Sequence, residues 1–289
     1  MQLGDMVLYP MQDGTVSMPL SKVLGESVRD EVAAAPEHYA RFLDGAGCLP
    51  FSYGCTLAEG SGRHVLLDTS LGHVDPPDTT PSRDVRDLLK ACAGITRHDI
   101  DAVTLSHGHP DHVAGSVMLA DDGELVPMYP NATHYMQRAE YEFASGPMRE
   151  AWKFDTYLGA VEAAGLLRII DGEHQVTPEI LLIDGFAGHT PGLQAARLQS
   201  GEAIAYYIGD ALHQTIQFAK PEWSPVFDWK PELGAASRRK LLGLISQENA
   251  LLLSPHLPFP GVGKVEPALA EGAWEFAPIA IDLPQPRKL

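Results

Sequence analysis

The chain has 289 residues, enough to bury a sizeable core in one large layered domain. It is 45% hydrophobic and 20% charged, an ordinary globular balance, and its formal net charge of −17 disfavours nucleic acid as a partner. Cys48, Cys55 and Cys92 form no CxxC pair, which argues against a disulfide framework and against a thiolate zinc site.

Taken in chain order, the first third reads mainly as strands and loops. Met6 to Pro10 and Thr15 to Pro19 flank Gln12-Asp13-Gly14, a hairpin-type turn signal. His64 to Asp68 reads as a short buried strand, and Arg83 to Ala93 as a helix with Val85, Leu88, Leu89 and Cys92 on one face. Ile100 to Ser106 is a further strand, followed by one around Ala132 to Met136. Helices are expected over 139–143 and 150–164, and strands near 167–170, 180–184, 194–198 and 203–208. A long Pro- and Trp-rich loop covers 218–231, a helix 233–246, and a last strand 250–254. Loops of that length inside a compact domain are usually functional. Arg238-Arg239-Lys240, the one basic cluster, reads as a solvated helix face. No apolar run reaches membrane-spanning length and the N-terminus carries no export signal, so a cytoplasmic location away from membranes is expected.

The densest chemistry follows the strand that ends at Ser106. Ser106-His107-Gly108-His109-Pro110-Asp111-His112 places three imidazoles and a carboxylate within six residues. His and Asp together suit zinc and similar divalent ions. His107 and His109 lie two apart at a strand end, so both project to one side and reach one ion. Pro110 then bends the chain, and the adjacent Asp111 and His112 diverge from the first pair towards a second ion. Three more candidates stand at strand ends: His189 in Gly188-His189-Thr190-Pro191-Gly192, Asp210 after Ile208-Gly209, and His256 after Ser254-Pro255. Singly, each would read as an ordinary packed residue. Together they allow two ions, with His107, His109 and His189 on one, Asp111, His112 and His256 on the other, and Asp210 bridging.

These motifs, in this order, resemble those of the metallo-β-lactamase-fold superfamily, and the resemblance covers nearly the whole chain. Leu66-Leu67-Asp68-Thr69 matches that family's strand before the first motif, where the Asp orients a ligand imidazole from behind. Gly209-Asp210-Ala211-Leu212-His213, Phe227-Asp228 and His256-Leu257-Pro258-Phe259-Pro260-Gly261 are similar to the branch holding methyl parathion hydrolase and dinuclear lactonases. The resemblance implies an α/β (α+β) fold, a four-layer αββα sandwich spanning 1–289, with the metals at the edge of the sheets. It argues against class members with a Cys near Asp210, with a Glu at His109, with a basic glutathione-binding extension, or with a positive RNA-binding surface.

The implied activity is that of a dinuclear metal-dependent hydrolase. A hydroxide bridging two divalent ions, zinc foremost with Mn, Co or Fe also compatible, would open lactones or cleave hydrophobic esters, with organophosphate triesters as promiscuous substrates. Asp111, a ligand with a free oxygen, is the candidate proton shuttle. His213 stands where many acyl-homoserine lactonases carry a Tyr. It either donates to the substrate or simply caps the strand. Phe218, Trp223, Phe227, Trp229 and Phe259 are the candidate lining of an apolar substrate pocket. The expected partners are a small hydrophobic lactone or ester and a second copy of the chain. The alternatives are a mononuclear iron persulfide dioxygenase, a thioester hydrolase, or a non-enzymatic metal-binding module.

Overall fold

The computed structural model describes residues 1–74 and 83–281. The short buried strand expected over His64 to Asp68 forms β4 (Arg63–Leu67), which lies in the middle of a seven-stranded sheet. Its neighbours on one side are β3 (Cys48–Gly60), β2 (Met6–Pro19) and β1 (Gln2–Leu3). On the other side are β5 (Ala102–Thr104), β8 (Thr133–Gln137) and β9 (Leu167–Ile170), all parallel to β4. A separate hairpin of β6 (Val117–Leu119) and β7 (Leu125–Pro127) lies apart from it. The second seven-stranded sheet runs in chain order: β10 (His174–Thr177), β11 (Ile180–Ile183), β12 (Ala195–Ser200), β13 (Ala203–Tyr207), β14 (Leu251–Leu253), β15 (Val262–Pro267) and β16 (Trp274–Pro278).

Strand alternation sorts the core into layers. Val65 and Leu67 of β4 and Ala102 of β5 meet Ala196, Leu198, Ala205, Tyr207 and Leu253 from the other sheet in one apolar cluster. Leu66 and Val103 point the opposite way and pack under the helix Val85–Ala93 and the segment around Phe154 and Tyr157. In the second sheet Tyr206 and Leu252 face outward to Leu241, Leu242 and Ile245 of the helix Pro231–Gln247. The order is helix, sheet, sheet, helix, the sandwich that the motif order implies.

Several local expectations are corrected. Gln12-Asp13-Gly14 is not a hairpin turn. β2 continues through it and pairs with β3 on both sides, with a register shift between Gln12 and Gly14. The extra residue is a β-bulge that turns the Asp13 side chain inward. The first third also holds the helices Leu20–Leu24, Glu26–Ala34 and Pro36–Tyr39. Their apolar signal is thin, because Glu26–Ala34 buries only Val28 and Val32, one turn apart. The single helix expected over 150–164 is two short ones, Phe154–Tyr157 and Gly159–Ala163: Lys153, with a left-handed φ of 51°, delays the start, and Leu158, at φ −120° and ψ −15°, breaks the run between them. Two late strands, β15 and β16, follow the one expected to be last. Among the described residues no helix is long and apolar enough to cross a membrane.

Asp13 ties the bulge to the loop after β4. Its carboxylate accepts from Ser70 Oγ at 2.6 Å and from the Leu71 amide at 3.1 Å, and the side chain is buried. Burial outweighs those hydrogen bonds and pushes the Asp13 carboxyl up from 3.8 to about 6. The folded chain therefore holds this proton more tightly than the unfolded chain. The stabilisation is complete below pH 4 and is lost as pH rises through about 6. Asp13→Asn keeps an acceptor for Leu71 and a partner for Ser70 without the titration. With chelator present, the urea midpoint of Asp13→Asn should gain on wild type between pH 4.5 and 7, by a ceiling of about 3 kcal/mol. Parallel pH curves for the two proteins would reject this role for Asp13.

Candidate metal centre

The two parallel pairs, β4–β5 and β13–β14, end on the same edge of the sandwich. β5 releases the chain into Ser106–His112, β13 into Asp210 and β14 into His256, while the loop before β12 carries His189. Backbone bonds hold these ends together. The Gln194 amide donates to Ser106 O at 3.0 Å, the Thr69 amide to His112 O at 2.9 Å, and the Ser52 amide to His256 O at 3.1 Å.

The seven candidate ligands converge in two sets, His107, His109, His189 and Asp210, and Asp111, His112 and His256. In the first set His109 Nδ1 lies 3.0 Å from His107 Nε2 and 2.9 Å from His189 Nε2. In the second, His112 Nε2 and His256 Nε2 are 3.1 Å apart, and Asp111 Oδ2 lies 3.7 and 3.6 Å from them. Asp210 stands between the sets. Its Oδ1 is 3.0 Å from both His112 Nε2 and His256 Nε2, and its Oδ2 is 3.2 Å from His189 Nε2 and 3.6 Å from His107 Nε2.

Hydrogen bonds behind the rings assign the tautomers. His112 Nδ1–H donates to Asp68 Oδ2 at 2.8 Å, His189 Nδ1–H to Asp228 Oδ1 at 2.9 Å, and His256 Nδ1–H to Ser52 O at 2.8 Å. Ser106 Oγ donates to Asp68 Oδ2 at 2.7 Å and so accepts from His107 Nδ1–H at 3.1 Å. Each of these four imidazoles is left with an inward Nε2 lone pair. His109 is the exception. It turns Nδ1 inward and lays its ring edge-on against Trp152, with centroids 4.4 Å apart.

This donor set fits divalent ions. Facing lone pairs at 2.9–3.1 Å repel one another and need a cation among them. A tetrahedral ion with bonds of about 2.0–2.1 Å holds its nitrogens about 3.3 Å apart, close to what these rings adopt. Asp210 Oδ1 is buried without a hydrogen bond, although two imidazole nitrogens lie within 3.0 Å of it. The electrostatics agree. Burial first, and then His112, holds His107 well below its ordinary value, while burial and then His189 do the same to His109, so both stay neutral. Burial would also depress His112 and His189. The carboxylates of Asp210, Asp111 and Asp68 outweigh it at His112, and those of Asp210 and Asp228 lift His189 to about 9. A field that favours protons on imidazoles favours cations among them.

A cavity of about 270 Å³ opens over the ligands. His109, Asp111, Asp210, His213 and His256 form its polar floor, and Met18, Phe51, Tyr53 and Phe227 its apolar wall. Of the five aromatic side chains expected there, only Phe227 lines it. Phe218 is turned into the core by the short helix Ile216–Ala219 and stacks on Phe276 at 5.1 Å. Trp223 packs under Leu20, Val23 and Leu24 and against Tyr39. Trp229 leans on Phe143 beside the cavity, with the Lys230 ammonium 4.0 Å above its ring. Phe259 borders a neighbouring open groove with Val16, Pro50 and Phe51. The wall comes instead from β2 and β3, where Phe51 and Tyr53 are two apart and share a face.

His213 is buried beneath the cavity, its ring stacked on His256 with centroids 5.5 Å apart. Its Nε2–H donates to Asp210 Oδ2 at 2.9 Å, and its Nδ1 has no hydrogen-bond partner among the described residues. Asp228 and Ser52 hold candidate ligand imidazoles from behind; Ser52 has no signal in its local sequence, and the Phe227-Asp228 likeness assigns Asp228 no role. Their partners lie 39 and 204 residues away.

The metallo-beta-lactamase superfamily profile matches residues 50–256. Among solved structures the fold is similar to the hydrolase AbOPH of the beta lactamase superfamily (TM-score 0.82, 24% identity, 98% of this chain and 97% of that one). It is also similar to AidC, a dizinc quorum-quenching lactonase solved with a product (TM-score 0.80, 23% identity, 98% and 97%). A probable metal-dependent hydrolase from Staphylococcus aureus gives a TM-score of 0.77 at 19% identity, over 97% and 100%. At these identities the likeness is one of fold. A ribonuclease Z from Methanopyrus kandleri is 37% identical over 89 residues, which is 30% of this chain and 27% of that protein.

Proposed function

Because the chain belongs to the metallo-beta-lactamase superfamily, we propose that it is a dinuclear metal-dependent hydrolase of lactones and related hydrophobic esters, with aryl phosphotriesters as secondary substrates. The observation that carries this reading is the Asp210 carboxylate, whose two oxygens each face a separate set of imidazoles. One oxygen per set is what a shared ligand offers. Zinc is the first choice for such nitrogen and oxygen donors. AidC, similar in fold, is described as a dizinc lactonase.

Bound divalent ions would supply Lewis acidity and bring water ionisation towards neutral pH. The chain's own groups do the rest. Asp111 lies at the cavity floor, a quarter exposed, where it can pass a proton between the reacting centre and solvent. His213, pinned through Nε2 to Asp210, presents its unpartnered Nδ1 as an acceptor that a protonated leaving group can use. The phenol of Tyr53 stands in the wall opposite, edge-on to His256 at 5.7 Å, and offers the donor hydroxyl that residue 213 lacks. Met18, Phe51 and Phe227 exclude water around the substrate's apolar part.

Among the described residues the lining contains two carboxylates, both candidate metal ligands, and no Lys or Arg, so beyond any bound ions it offers no cationic side chain to a glutathione carboxylate. Metal analysis beside kinetics on a γ-lactone, an aryl ester, an aryl phosphotriester and a glutathione thioester tests the proposal. Two ions per chain are expected, with kcat/KM for the neutral lactone at least about tenfold above that for the thioester, one RT-scale decade of binding. His213→Ala should lower lactone turnover while leaving both ions bound. One iron per chain with sulfur-oxidising activity would replace this reading, and no turnover by fully metallated protein would end it.

A further inference from the structure

Glu140 lies in the first turn of the helix Arg138–Ser145, and its side chain is completely buried. Its two carboxylate oxygens go to two different loops. Oε1 accepts from the Gly108 amide at 2.8 Å, and Oε2 accepts from the Gly192 amide at 2.9 Å. Gly108 sits between His107 and His109, and Gly192 closes the loop that carries His189. One carboxylate therefore joins the two segments that supply all three imidazoles of the first ligand set. We infer that Glu140 is a positioning residue for that set alone, holding the His107–His109 and His189 segments at the separation one ion requires; the inference rests on the dinuclear reading above.

The packing around the clamp is built for this approach. A Cβ on Gly192 would overlap the backbone nitrogen and Cβ of Glu140, so only glycine lets this amide reach the carboxylate. A Cβ on Gly108 would meet Ala144 at 3.1 Å and Trp152 at 3.2 Å, both crowding the same side. A buried carboxylate that accepts from two backbone amides forms strong charge-assisted bonds. The second set has its own brace, Asp68 behind His112, which does not touch Glu140. The two sets therefore share Asp210 in front, and behind them Asp68 also reaches His107 through Ser106 Oγ, whereas Glu140 braces the first set alone. The Gln194 to Ser106 backbone bond also ties the two segments, so loss of the clamp weakens the first site without abolishing it.

The test uses the full-length protein and zinc itself, titrated against a chromophoric chelator. Glu140→Gln keeps one acceptor oxygen but turns an NH2 group against the other amide. It should weaken one of the two bound ions by about 10–100-fold and leave the other within about twofold of wild type. Hydrogen exchange at the Gly108 and Gly192 amides should speed up, while exchange around His112 stays unchanged. Gly192→Ala, which pushes the His189 loop off an intact carboxylate, should reproduce the selective loss, so the inference survives a poorly folding Glu140→Gln. Wild-type affinity at both sites, or parallel loss of both ions, would overturn it, since a merely structural residue weakens both together. If wild type binds only one ion, the dinuclear reading fails on its own. Faster exchange at Gly108 and Gly192 with weaker binding of that one ion then still supports the clamp, and unchanged exchange rejects it.

Discussion

Asp210→Ala should release both ions and abolish turnover in one step. Both oxygens of this carboxylate face imidazole nitrogens at 3.0–3.6 Å, and among the described residues no other carboxylate lies directly against both sets. Burial would raise the Asp210 carboxyl. The imidazoles of His112, His256, His213 and His107 outweigh it and hold the group well below the usual carboxylate range. Its removal takes the shared counter-charge from His112, His189 and His256, the imidazoles it helps to lift above their ordinary value, and stranding a buried charge typically costs about 3–5 kcal/mol. The expected readings are less than one ion per chain and a fall in kcat/KM of at least about a thousandfold. Asp210→Asn, which has the same shape, separates charge from volume. It should stay folded and bind zinc far more weakly. Two ions and full activity in Asp210→Ala would remove Asp210 from the centre altogether.

The second large effect is expected from Asp68→Asn. Asp68 is fully buried and accepts four hydrogen bonds. Oδ1 takes the Ser106 amide at 2.6 Å, while Oδ2 takes Ser106 Oγ at 2.7 Å, His112 Nδ1–H at 2.8 Å and Tyr207 OH at 2.9 Å. An asparagine offers one acceptor oxygen and places an NH2 group among donors. At least one buried donor loses its partner, at about 1–3 kcal/mol for each group stranded. The backbone does not confound the comparison. Asp68 sits at φ 59°, a left-handed conformation that Asn also tolerates. The variant should melt several degrees lower. It should also bind zinc about 10–100-fold more weakly at the set containing His112, whose tautomer and ring angle Asp68 holds. A melt and a zinc titration both matching wild type would show that the four bonds carry nothing.

What could be read from the sequence divides along a physical line. The layered fold is legible because strand alternation and the motifs at strand ends are local patterns, and the convergence of the seven candidate ligands is legible for the same reason. The braces are not. Asp228, Ser52 and Glu140 act only through partners brought close by the tertiary fold, and nothing in Phe227-Asp228 or in the helix 138–145 marks a buried acceptor in advance. The cavity wall was misplaced because an aromatic residue on a loop does not say which way it faces. Phe218 and Trp223 go to core clusters, and Phe51 and Tyr53, on a strand, face the site. Gln12-Asp13-Gly14 suits a bulge as well as a hairpin turn, so the local sequence does not show that Asp13 points inward.

The candidate ligands are divided between the sheets. His107, His109, Asp111 and His112 follow the first sheet's β5, while His189, Asp210 and His256 belong to the ends of β12, β13 and β14 in the second. Each ligand set draws on both sides. Neither sheet by itself can offer an ion more than a fragment of its coordination, so tight binding waits until the two have docked. An ion held there acts as a rivet across the inter-sheet core, linking positions far apart in the chain and stabilising the closed sandwich over every opened one. Metal uptake in such a molecule doubles as an inspection of assembly: chemistry switches on only in copies whose two halves have met correctly.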